Sequence, residues 1–193
     1  MANADAPRGL SPVRYLGGAA YTGATSLYFV PAGDSTALFV GGLVKLAGSA
    51  DADGVPTVTG NVTTGDAVVG VVTSVVPVTR DSTIYREASV ARYVNVADDP
   101  NLLFEVQEDS TGAALAATAV GNVADLATIT AGSTVTGFST MEIDSSTATA
   151  SGDGTQDVLI HSLARAEDNA IGTNANWLVR LNNHAFVDGN TGA

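Results

Sequence analysis

One stretch, Ser89 to Asp109, constrains the fold more than any other, because it holds two alternating apolar runs separated by turn-forming residues. Val90, Val94 and Val96 share one parity, and beyond them Leu102, Phe104 and Val106 alternate with Leu103, Glu105 and Gln107. A period of two sends successive side chains to opposite faces of an extended chain, so each run predicts a half-buried strand. Asp99-Pro100-Asn101 predicts the turn between them, since proline presets φ and Asp or Asn bonds its own backbone. The expected product is a β-hairpin. Arg92 falls on the parity of the valines, which leaves three outcomes open: it snorkels, pairs with a carboxylate, or faces a partner.

The same pattern recurs along the chain. SLYFV (26–30), TALFV (36–40), LVKLAG (43–48), VPTVT (55–59), AVVGVVTSVVPV (67–78) and STIY (82–85) are β-rich runs bounded by Gly, Pro, Asp and Ser. DVLIHSLARA (157–166) and NWLVRLN (176–182) follow near the end, where Trp177 shares a parity with Val179 and Leu181 and reads as a core or interface anchor. Short strands at near-regular spacing predict an all-β fold: a β-barrel or jelly-roll-like sandwich with an extended N-terminal arm and little helix. The N-terminal half reads as a small closed sheet, with Gly70 marking a bulge or a tight bend. The division expected is an arm over 1–20, one domain over 21–186 and a loose tail over 187–193. Within that domain, 110–150 reads as a loop-rich insertion with a strand over 138–144, and Glu167 to Ile171 as a short helical turn.

In the arm, Pro7, Gly9, Pro12, Gly17 and Gly18 forbid a helix or a long strand. Leu10, Val13, Tyr15 and Leu16 are more apolar than a solvated tail requires, so the arm is expected to lie on something, either its own body or a neighbour.

Composition then removes whole classes of function. With no cysteine there are no disulfides, thiolate metal sites or cysteine nucleophiles. The net charge of −12, from 20 acidic and 8 basic residues, disfavours a surface that neutralises phosphates, so no direct nucleic-acid contact is expected. Ten of the carboxylates lie between Arg92 and Arg165, an interval without Lys or Arg, whereas the first 33 residues carry Arg8 and Arg14 against Asp5 alone. Neither a signal peptide nor a membrane span is read in the sequence.

No nucleophile elbow, zinc-protease helix, phosphate loop or dinucleotide fingerprint occurs. Lys45 reads as a solvated or interface lysine. Asp51-Ala52-Asp53-Gly54 and the Gly152 to Asp157 segment read as turns rather than calcium loops. His161 and His184 lack neighbours at ligand spacing, and nothing brings Glu105, Glu108 and Glu142 together as an acid and base pair. No catalytic residue, cofactor or metal is therefore expected.

Several segments together resemble the head decoration, or cement, proteins of tailed bacteriophages. The likeness lies in Met1-Ala2-Asn3, Ala6-Pro7-Arg8-Gly9-Leu10 with Pro12-Val13-Arg14, Val44-Lys45-Leu46-Ala47-Gly48, and Asp66 with Gly70-Val71-Val72. It continues through Phe104 to Asp109, Asn169 with Ile171-Gly172, Trp177-Leu178-Val179-Arg180, and Asn183-His184. The resemblance implies a non-catalytic virion protein, made in the bacterial cytoplasm, that binds the outer surface of the capsid and bridges neighbouring capsomers. Its implied partners are the major capsid protein and further copies of itself, as a dimer or trimer. On that reading the arm leaves the body and adds to a neighbour as a strand, with Arg8, Leu10, Val13, Arg14 and Tyr15 as partner-binding residues. A virion-displayed receptor- or glycan-binding β module is the alternative.

Overall fold

The structure is a computed structural model that describes residues 3–109 and 111–187. The expected C-terminal tail, apart from Val187, lies outside those residues. The fold is nearly all β. In chain order the strands are β1 (Ser11–Tyr15), β2 (Ser26–Val30), β3 (Leu43–Ala50), β4 (Pro56–Thr59), β5 (Gly70–Val75) and β6 (Arg92–Ala97). They continue as β7 (Leu102–Gln107), β8 (Val123–Ala124), β9 (Leu126–Ala127), β10 (Glu142–Ile143), β11 (Val158–Leu163) and β12 (Asn176–Leu181).

The N-terminal half closes a barrel in the order β2-β4-β3-β5-β6, as its punctuated valine runs predicted, and β1-β7-β12-β11-β8 form an open antiparallel sheet. Alternation explains how the two pack. Val44, Val72 and Val96 point into the barrel with Val30 and Val58, while their neighbours Leu43, Val71 and Ala97 point out of it. Those outward side chains join Phe104, Val106, Trp177, Val179 and Ile160 of the open sheet in the larger core. Trp177 is fully buried there, a core anchor rather than an interface one. Gly70 marks a close approach, not a bulge: a Cβ on it would lie 2.2 Å from the Ala97 carbonyl oxygen. The irregularity in that pairing falls later, between Val72 and Ser74.

The expected hairpin of β6 and β7 does not form. Both strands exist and the turn is as read, with Asn101 N donating to Asp99 Oδ1 at 2.7 Å. However, β2 and β5 occupy the two edges of β6, so β7 crosses to the other sheet and pairs with β1 and β12. Arg92 occupies the barrel-facing row of Val94 and Val96, opposite Val30, and is 7% exposed. Among the described residues it pairs with no carboxylate.

Other expectations also change. TALFV contributes only isolated bridges at Leu38 and Val40, STIY is not a strand, and 138–144 shrinks to Glu142–Ile143. The region 111–150 is irregular, with single 3₁₀ turns at Ala117–Ala119 and Ser145–Thr147, and Glu167 to Ile171 is turn and bend without helix.

The arm does not leave the body. Residues 3–8 run along it: Asn3 Nδ2 donates to the Ala170 and Thr173 carbonyls at 2.9 and 3.0 Å, and Gln107 Nε2 to Ala4 O at 2.7 Å. Leu10 N donates to Gly41 O at 3.0 Å and its side chain is 1% exposed. Ser11–Tyr15 then becomes the edge strand of the open sheet. The outer edge of that strand is itself covered, because Tyr15 N donates to Ala19 O and Tyr21 N to Val13 O. An edge so paired is closed to strand addition at those positions.

Asp5 of the arm and Asp109 act on Glu142. Burial first, and then these two charges, push the Glu142 carboxyl up to about 7 from 4.5. Between those values the folded protein holds a proton that the unfolded chain has released, so stability falls as pH rises through the window. Glu142→Gln is expected to stabilise the fold by about 1 kcal/mol at roughly pH 8, allowing for solvent screening, and by nothing below about pH 4. Urea unfolding at both pH values checks this, and an equal effect at the two would exclude the charge as the cause.

Candidate partner-binding face

The core-facing rows of the open sheet are settled by burial; its opposite face carries the charge. Across the strands one outer row reads Ser11, Glu105, Leu178, Ser162, and the next reads Arg14, Leu103, Arg180, Leu159, Val123. Leu103 has no exposed area although it points away from the core. Its row neighbours are Arg14 and Arg180, whose aliphatic stems can cover a leucine while their charged heads remain at the surface.

Over these rows lies a trough of about 380 Å³, lined by Val13, Arg14, Glu105, Leu163, Arg165 and Leu178 among others. Each wall has a local cause. On the β1 side the register shifts between Pro12 and Arg14, which turns Val13 outward to 39% exposure. On the β11 side the register shifts between Ile160 and Ser162, and the strand ends at Leu163, so Ala164 and Arg165 continue past the sheet. β7 and β12 separate the two walls, which puts Arg14 and the β11 side about 14 Å apart at the backbone, three strand spacings.

Of the eight basic residues, Arg14, Arg165 and Arg180 stand on or beside this face, and Arg8 reaches it through Glu105 (Nη2 to Oε1, 3.4 Å). Among the described residues Glu105 is the sole carboxylate lining the trough. Arg180 Nε is buried without a hydrogen-bond partner among the described residues. On a chain of net charge −12, this is a cationic, partly apolar island.

The five residues singled out in the arm thus separate. Val13 and Arg14 line the trough and Arg8 borders it, whereas Leu10 belongs to the protein's own core and Tyr15 packs against that core from the inner row. Leu10 is thereby withdrawn as a partner contact. Leu163, Arg165, Leu178 and Arg180 were missed. The outward parity of Leu178 and Arg180, out of step with Trp177, was visible in the sequence, but nothing local announced that β7 and β11 flank β12 and that β1 lies beyond β7.

A second exposed surface is apolar. Ile84 (59% exposed), Val135 (86%) and Phe138 (44%) stand on loops that meet where a Cβ on Gly137 would lie 2.8 Å from Ile84 Cγ1. Tyr85, next to Ile84 in sequence, stacks on Phe39 with ring centroids 5.1 Å apart. This knob belongs to the barrel side, since Val40 bridges Phe138.

The remaining polar groups are mostly committed to the fold. A polar recess of about 320 Å³ beside the arm is lined by Asn3, Gln107 and Asn169, whose amides hold backbone groups of the arm and of residues 164–176. Lys45 Nζ binds Asp66 Oδ2 at 2.6 Å rather than standing alone. Asp51 accepts from Asp53 N, Val55 N and Tyr93 Oη, as a turn aspartate does. Asp157, raised by burial, accepts from Leu126 N and Gly65 N and joins the sheet to its loops. Burial keeps His184 toward its neutral form, and His161 Nδ1 meets Ser162 Oγ at 3.2 Å. Among the described residues no His, Asp or Glu cluster has the arrangement of a metal site, and no helix is long and apolar enough to cross a membrane.

Comparison with protein-family models, with curated proteins and with solved structures returns no match.

Proposed function

We propose that the chain is a non-catalytic structural protein of a tailed-phage virion that binds the outer surface of the capsid and bridges neighbouring capsomers. The observation that carries this reading is the pairing of two exposed surfaces of unlike chemistry on one body, the cationic trough on the open sheet and the apolar knob on the barrel side. A bridge must hold two neighbours at once, and two chemically distinct surfaces let it do so in one orientation. The acidic remainder of the surface is repelled by packaged DNA and is at ease outside the shell. The resemblance to decoration proteins supports the same assignment, with the major capsid protein as partner and a dimer or trimer of the chain as the bound unit.

Each contact needs only a standard interface, about 1,600 Å² in total, because linked sites on a lattice multiply modest affinities. Binding only the assembled shell stabilises that state by mass action. Phage heads assembled without the protein are expected to release DNA at lower temperature than complete heads, with purified protein restoring the difference. Identical release curves, or a particle map with this chain absent from the outer lattice, would remove the proposal.

A further inference from the structure

The geometry points to the occupant of the trough: an extended, acidic segment of another protein that alternates carboxylates with aliphatic side chains. This rests on the reading of the chain as a binding protein and names what one of its two surfaces takes.

Charge is the first reason. Among the described residues Arg14 and Arg165 stand on opposite walls without an ion-pair partner, Arg180 lies one row along with its Nε unpartnered, and the one lining carboxylate, Glu105, is already offset by Arg8. Arginines on a rigid sheet present planar donor forks suited to carboxylates.

The floor supplies the second reason. Leu178, 8% exposed, lies between the arginines, with Leu163 at the β11 wall and Val13, 39% exposed, on the near wall, and an occupant without aliphatic groups would leave the apolar surface of Val13 and Leu163 uncovered. Polyphosphates and sulfated glycans lack the aliphatic groups for that floor, and the net charge of −12 repels a long polyanion from a distance. A short acidic and aliphatic peptide meets both demands. The trough runs over β7 and β12, between walls about 14 Å apart, and an extended chain laid along it sends alternate side chains down to that floor.

The probe is the capped pentapeptide Glu-Leu-Glu-Leu-Glu, titrated into the full chain at low salt and followed by amide chemical shifts. Shifts are expected at Arg14, Leu163, Arg165 and Leu178, with affinity falling as salt rises. The double variant Arg14→Glu with Arg165→Glu should weaken binding by roughly tenfold or more, whereas Arg80→Glu, on an exposed loop away from the trough, should change it less than about twofold. Thermal melts confirm that each variant is folded.

No shift at these residues, or equal shifts from Gln-Leu-Gln-Leu-Gln, overturns the inference. Tighter binding of a heparin oligosaccharide overturns the choice of a protein segment. A fall in native mass on Arg14→Glu with Arg165→Glu makes the occupant a second copy of this chain and overturns a foreign partner. The capsid reading is tested separately: heads that bind the double variant in full overturn only the trough's role, while peptide binding without any binding to heads overturns only the capsid assignment.

Discussion

Arg86→Ala is expected to destabilise the protein by about 3–5 kcal/mol, the largest effect of any single polar substitution in the chain. The side chain has no exposed area. Its Nε donates to Val90 O, its Nη1 to Thr36 O, and its Nη2 to both Pro31 O and Asp34 O, at 2.5–2.8 Å. Asp34 Oδ1, 3.9 Å from Nη1, balances the charge while itself accepting from Thr36 N. Alanine would take a donor from each of four half-buried carbonyls, of which Pro31 O and Asp34 O still accept from Asp34 N and Ser89 N, and would uncover a carboxylate placed for a cation.

Lysine does not repair the loss. Its ammonium is a single point, whereas these acceptors are spread around a planar fork. Arg86→Lys is therefore expected to recover the charge term but little of the hydrogen bonding, and to fall between alanine and wild type. Chemical unfolding midpoints of Arg86→Ala, Arg86→Lys and the exposed-site control Arg80→Ala test the order. A midpoint for Arg86→Ala equal to that of Arg80→Ala would show that the loop over 31–36 holds without the guanidinium.

The second large effect falls where the arm crosses the barrel. Gly9 and Gly41 both have left-handed φ, +69° and +87°, and their backbones touch: a Cβ on Gly41 would lie 2.5 Å from Arg8 O, and one on Gly9 2.5 Å from Gly41 O. Gly41→Ala therefore meets two penalties, a backbone conformation that L-residues rarely hold and a clash with main chain rather than with a movable side chain. The expected cost is about 2–3 kcal/mol, with the arm lifted locally. Gly17→Ala, where no atom lies within 4 Å of an added Cβ, is expected to stay within about 0.5 kcal/mol of wild type.

Hydrogen exchange separates strain from release. The Leu10 amide, bonded to Gly41 O, should lose protection in Gly41→Ala and keep it in Gly17→Ala. Retained protection together with a cost below about 0.5 kcal/mol would mean that the crossing does not fix the arm.

Much of this architecture could be read without coordinates, and the boundary of what could be read has a physical origin. The strands SLYFV, VPTVT, NWLVRLN and the two runs around Asp99-Pro100-Asn101 are set by alternation, a property of neighbours two residues apart. The same is true of the turn aspartates, Asp51 and Asp99, which bond the backbone two residues on. In 110–150 the signal fails, because strands of two residues such as β8, β9 and β10 are too short to show any period.

What the sequence determined by itself was the all-β class, the strand runs with strong alternation, and the candidacy of Arg14 and Val13 as surface groups in a basic N-terminal stretch. Only the tertiary structure decided which strands pair, that Arg86 and Leu10 are interior, and that Arg14 shares a face with Arg165 and Arg180. The reason is that parity assigns a side chain to one of two faces, but partner choice depends on which strand edges remain open after the rest of the chain has closed. β6 had none to offer, so β7 crossed to the other sheet and carried Glu105 beneath the arm, where Arg8 pairs with it and Arg14 and Arg165 line the same trough.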